Sequence, residues 1–121
     1  MSLINTFNPQ IYPRLLWIQV GQNSHPEQFC LSEFSDNEYA VTESAFDKIE
    51  KKGGVFIRFE NIEAMTTKNI SHESTHAAME IFDYIGAVPD LKNQEPFAYL
   101  VSWIAECCDE VKYKYVENSK Y

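Results

Sequence analysis

The order in which hydrophobic periods follow one another predicts an α+β domain in which antiparallel strands come first and two helices close the chain. Residues 55–60 alternate, with Val55, Ile57 and Phe59 against Phe56, Arg58 and Glu60, the period of a strand with one buried face. Near Thr66 the period lengthens to about three and a half residues and stays there up to Gly86, with Pro89 beyond as a second stop signal. A third apolar stretch begins near Gln94 with the same helical spacing.

Each element has a local reason. Residues 11–20 are dense in Leu, Ile, Val and Trp and end at Gly21; Pro13 marks an irregular or edge start to that strand. Residues 25–37 carry no clear period, and His25 beside Pro26 reads as solvent-exposed. Residues 39–46 and 55–59 flank the turn-prone Lys51-Lys52-Gly53-Gly54 and read as an antiparallel pair joined by a hairpin or longer loop, with one face core and the other largely solvent. The first long helix starts at Thr66 or Thr67, with Ile70, Ala77, Ile81, Phe82 and Ile85 on its apolar stripe. A second runs from Gln94 to about Tyr115, capped by Asn93, with Pro96 tolerated in its first turn and Phe97, Leu100, Val101, Ile104, Cys108 and Val111 inward. The loop 87–92 folds it back antiparallel to the first. Trp17 and Trp103 read as core anchors, and Lys112 to Tyr115 as a solvated helix end.

The 121 residues fit a single domain spanning 1–121. With 45% hydrophobic and 14% aromatic residues the chain can form a packed interior, and no linker or repeat interrupts it. A formal charge of -8 argues against nucleic acid as a partner, because phosphate binding relies on Lys and Arg. No apolar run reaches the roughly 20 residues that span a bilayer, and the start lacks a basic segment followed by an apolar one, so no membrane is expected and a cytoplasmic site is. Cys30, Cys107 and Cys108 form an odd set without CxxC spacing. They read as buried or semi-buried free thiols in a reducing compartment.

The chemistry concentrates in His72-Glu73-Ser74-Thr75-His76. Residues four apart lie one turn above each other on a helix, so both imidazoles can address one cation. Glu73 sits beside them as the carboxylate base that this pattern implies when it falls on a helix. The two histidines lie off the centre of the apolar stripe, on an edge continuing toward Met79, Glu80 and Asp83. Glu95 follows after eighteen intervening residues, at the start of the second helix, where the antiparallel return can bring it to the histidines.

His-Glu-x-x-His, eighteen residues, Glu resembles the gluzincin zinc peptidases of the aminopeptidase-type branch, and the chain is similar in size to minigluzincins. Residues 39–42, 54–59, 70–73 and 95–100 also resemble small zincin-like proteins of bacteriophages and prophages, most of them uncharacterised. That likeness covers most of the chain from Tyr12 onward. The resemblance implies a small zincin-like domain with an active-site helix and a C-terminal glutamate helix. It implies one zinc per chain on His72, His76 and Glu95, with Glu73 as general base. It further implies an exposed edge strand, here residues 54–61, that binds an extended substrate by strand addition. Thermolysin-like gluzincins place an Asp four residues after the glutamate ligand to orient a histidine; this chain has Tyr99. Tyr99 is the candidate for that duty or for stabilising an oxyanion, one turn from Glu95.

The implied reaction is hydrolysis of a peptide or other amide bond by a metal-bound water, with peptide or protein as substrate. Each residue has an ordinary alternative: the two histidines as a part-exposed helix face, Glu95 as a first-turn acid favoured by the helix dipole, Tyr99 as a core aromatic. Three functions therefore stand side by side: a zinc metallopeptidase, a non-catalytic zincin-fold module holding metal or a protein partner, and a metal-free interaction protein. Residues 1–10 are positioned in sequence to cover such a cleft. Substrate specificity and oligomeric state leave no mark on periodicity.

Overall fold

A computed structural model describes residues 4–21, 26–32 and 39–119. In chain order these form β1 (Ile4–Phe7), β2 (Leu15–Val20), the single-turn α1 (Pro26–Phe29), β3 (Ala40–Asp47), β4 (Lys52–Phe59), a 3-10 turn (Ile62–Ala64), α2 (Thr67–Ile85) and α3 (Glu95–Ser119). The domain is α+β, as its periods predict, but the sheet is mixed. Its order is β1-β2-β4-β3, with β2 parallel to β4 and the outer pairs antiparallel.

That order corrects three expectations. The strand 54–61 is no edge: β4 lies between β2 and β3, and the free edge beside α2 belongs to β3. Strand β2 is also interior, with Pro13 before its first residue rather than inside it. Residues 4–7 do not cover a cleft, because they pair with β2 at the edge of the sheet opposite β3.

β4 is also buried on both faces rather than one. Val55, Ile57 and Phe59 join Leu16, Ile18 and Val20 under α2 and α3, where Ile70, Ala77, Ile81, Leu100, Ile104 and Cys108 complete the main core. On the reverse face Phe56 packs with Trp17, Phe29 and Ala45 in a smaller cluster. The rings of Trp17 and Phe29 are 5.2 Å apart, and those of Phe29 and Phe56 5.0 Å. A parallel β2–β4 pair needs a crossover, and α1 within that crossover covers the face that alternation alone assigns to solvent. Arg58, 1% exposed, is neutralised there: Nη2 donates to Ser32 O at 2.6 Å and reaches Glu43 Oε2 at 3.1 Å.

Two glycines act inside β4, not in the turn. The hairpin turns at residues 48–51, with Lys51 at φ 57°. At Gly54 a Cβ would collide with the Leu15 carbonyl and lie 2.8 Å from Trp17 Cζ3, so the close β2–β4 approach requires glycine. Asp47 ties the turn together: Oδ1 accepts from Ile49 N, Glu50 N and Gln28 Nε2.

Helix α2 begins and ends where its sequence signals lie. Thr66 Oγ1 accepts from Asn69 N at 3.1 Å, and Gly86 takes the left-handed conformation (φ 76°) while Gly86 N and Ala87 N bond to Asp83 O and Phe82 O. α3 starts at Glu95 rather than Gln94, since Gln94 O accepts from Ala98 N; Asn93 instead closes a small turn with Asp90. The helix extends to Ser119 with Pro96 in its first turn. Trp17 is a core anchor at 2% exposure, whereas Trp103 is half-buried and Ile85 exposed. Cys107 and Cys108 are buried, but Cys30 is exposed. His25 and residues 33–37 of its unassigned segment lie outside the described residues, and the part between them carries α1.

Candidate metal centre

Helix α2 lies across the sheet at β3 and β4, so its residues divide by angle. Ile70, Glu73, Ser74, Ala77 and Ile81 turn inward and are buried, while His72 and His76 are exposed on the adjoining edge with Met79, Glu80 and Asp83. This is the border between core and surface that the sequence places them on.

The two imidazoles meet. His72 Nε2 and His76 Nε2 are 3.1 Å apart, and the rings are set edge to face with centroids 4.7 Å apart. At that spacing either one ring donates its Nε2–H to the other, or both present lone pairs to a shared cation, for which metal–nitrogen distances are about 2.0 to 2.1 Å. The donor pair therefore fits a single zinc-sized ion.

Glu73 points the other way. It is only 8% exposed, and its Oε1 accepts the Thr42 hydroxyl of β3 at 2.7 Å, while the same hydroxyl lies 3.3 Å from the Glu73 carbonyl. Two turns on, Glu80 Oε2 accepts from Ser44 Oγ at 3.0 Å. Thr42 and Ser44 pair with Ile57 and Val55 of β4, so both lie on the face of β3 turned toward α2. A small polar ladder thus clips α2 to the free edge of the sheet. Neither Thr42 nor Ser44 is apparent as a site residue from sequence. The one signal is Ala40, Thr42 and Ser44 at alternate positions, a strand face too small and polar for a core.

No protein-family model, curated protein or solved structure matches this chain.

Glu95 is the first residue of α3 and is exposed. Among the described residues, no group of three or more His, Cys, Asp or Glu side chains is placed to hold a metal ion, so the structure gathers the two histidines but not the glutamate with them. Tyr99, one turn beyond Glu95, is 69% exposed and lines an apolar cavity with Tyr12 and Trp103 that includes none of His72, Glu73 and His76.

Behind the site the thiols are quiet. Burial pushes the Cys108 thiol up to about 12, despite the lowering influence of the Ser74 hydroxyl, and Cys107 and the Glu73 carboxylate add to the rise. Burial, aided by Glu110 and Glu106, does the same for Cys107. Neither supplies a thiolate near neutral pH. Among the described residues no helix is long and apolar enough to cross a membrane.

Proposed function

We propose that the chain is a small zinc-dependent metallopeptidase of zincin-like fold, cleaving peptide or amide bonds, with His72 and His76 as metal ligands, Glu95 as the third and Glu73 as general base. The observation that carries this reading is the 3.1 Å approach of the two Nε2 atoms on one helix edge, with a buried carboxylate on the residue between them. Zinc in that position supplies Lewis acidity toward a carbonyl and makes a nearby water acidic enough to lose its proton at about pH 7.

The chain's own groups do the rest. Thr42 occupies Oε1 of Glu73 and fixes the carboxylate, which leaves Oε2 to accept a proton from water and return it to the leaving amine. Glu95, the third ligand that the sequence spacing implies, stands exposed at the first residue of α3. The free edge of β3, rather than β4, is where an extended substrate lies antiparallel by main-chain bonds. Tyr99, which lines a cavity apart from the histidines, takes no part in this step.

A second reading draws on the inward setting of Glu73. A carboxylate engaged by Thr42 at 8% exposure also suits a helix clip, leaving the histidines as a metal site that steadies a non-catalytic module. Elemental mass spectrometry of the purified chain separates these. Near one zinc per chain, lost in His76→Ala, with peptide cleavage lost in Glu73→Gln, is the expected result. Zinc without cleavage favours the second reading, and no zinc uptake at neutral pH removes both.

A further inference from the structure

The loop between β1 and β2 separates two cavities of unlike chemistry, and Tyr12 is a wall of both. One, of about 410 Å³, is lined by Ile11, Tyr12, Pro96, Tyr99, Leu100 and Trp103, and carries no charged side chain. The other, of about 430 Å³, is lined by Asn8, Gln10, Tyr12, Arg14, Lys52 and Gly53 among others, and carries no acid among the described residues. Two of the ten cations of a chain with eighteen acidic residues meet there.

Arg14 is built into place. Its guanidinium lies 4.1 Å above the Tyr84 ring, Nη2 donates to Gly54 O at 3.0 Å, and Nη1 occupies the space that a side chain at position 53 would fill. Nε is buried and, among the described residues, has no hydrogen-bond partner. Among the described residues neither Arg14 nor Lys52 makes an ion pair; the acid that Lys52 influences, Asp47, already accepts three hydrogen bonds. A planar fork held on an aromatic face is the usual receptor for a carboxylate.

The geometry points to a binding site for the free carboxyl terminus of a peptide whose last residue is bulky and apolar. The carboxylate lies between Arg14 and Lys52, and the side chain enters the Tyr12–Tyr99–Trp103 cavity. The Asn8 and Gln10 amides face the peptide's last main-chain groups, which a simple fatty acid lacks. This site is distinct from the histidine pair and does not depend on metal.

Trp103 reports on it, since Trp17 lies on the opposite face of the sheet at 2% exposure. Hexapeptides ending in Phe, with free or amidated C-termini, are titrated against Trp103 emission, using the native chain and Glu73→Gln in parallel so that turnover and binding are separated. The free acid binds both proteins alike, the amide at least tenfold more weakly, and a peptide ending in Gly likewise. Lys52→Gln, an exposed change, weakens binding several-fold, and Arg14→Gln at least tenfold with an unchanged circular dichroism spectrum. Equal binding of acid and amide overturns the proposal, as does decanoate or inorganic phosphate binding as tightly as the peptide. No change in emission together with no heat in calorimetry also overturns it.

Discussion

Thr42 Oγ1 donates to Glu73 Oε1 at 2.7 Å, and this bond ties the free edge strand of the sheet to the carboxylate set between two histidines. It joins residues thirty-one positions apart (73 − 42) and makes the orientation of the candidate base a property of β3. Thr42→Val keeps the shape and removes the donor, leaving a buried carboxylate oxygen unsatisfied; the expected loss is about 1 to 3 kcal/mol, read as a lower urea midpoint with unchanged slope. Thr42→Ser retains the bond and most of the stability. If peptide cleavage is present, Thr42→Val lowers its rate at unchanged zinc content.

On the proposed reading, zinc would act on the folded state through the histidine pair. At a free concentration one hundred times the dissociation constant, a ligand that binds only the folded chain stabilises it by about 2.7 kcal/mol. Differential scanning calorimetry is expected to show a raised Tm with zinc, reversed by chelator and absent in His72→Ala and His76→Ala. Because imidazoles must be neutral to coordinate, the zinc-induced rise shrinks as the medium is made acidic. An equal rise in the alanine variants places the metal elsewhere.

The three thiols divide by burial. Cys30 is exposed, whereas the thiols of Cys107 and Cys108 are both pushed up to about 12 from the ordinary 9.0. A chromogenic disulfide reagent at pH 8 is expected to titrate one thiol quickly and two only as the protein unfolds. The unfolded chain loses these protons above pH 9 while the folded chain keeps them, so stability is full below pH 9 and falls as pH rises from there toward 12. Cys107→Ala with Cys108→Ala reduces that alkaline slope.

Asp47 gives the opposite dependence. Burial alone raises its pKa, but the hydrogen bonds from Gln28 and from the main-chain N–H groups of Glu50 and Ile49, with Lys52 nearby, outweigh it and hold the carboxyl below its ordinary 3.8. Its contribution is present above that value and is lost as pH falls through the lowered one. Asp47→Ala is expected to cost about 1 to 2 kcal/mol near neutral pH and much less in strong acid, where the native carboxyl is itself protonated.

Adjacent glycines separate a structural role from a binding one. Gly54→Ala drives a methyl group against the Leu15 carbonyl and Trp17, forcing β2 and β4 apart, and is expected to cost about 3 kcal/mol. Gly53→Ala presses on the Arg14 guanidinium, with Phe46 in ordinary contact, so it is expected to lower the Tm less than Gly54→Ala while displacing the guanidinium of the proposed carboxylate site. Thermal melts beside peptide titration measure both.

The sequence by itself determined what depends on near neighbours. The bounds of α2, its Thr66 and Gly86 caps and the pairing of His72 with His76 are decided within four residues along the chain, because helix periodicity and capping are local. Only the tertiary structure decided which strand is the edge, that β2 and β4 run parallel, and that Phe56 and Arg58 are covered by the segment bearing Phe29 and Ser32. Alternation places Arg58 outward whether or not a crossover lies over it. The same holds for chemistry: the adjacency of Glu73 to the histidines is written in the chain, but its grip by Thr42 and the exposure of Glu95 and Tyr99 follow from how helices settle on a sheet. Those are long-range contacts, set by which apolar faces meet, and no period in the chain encodes them.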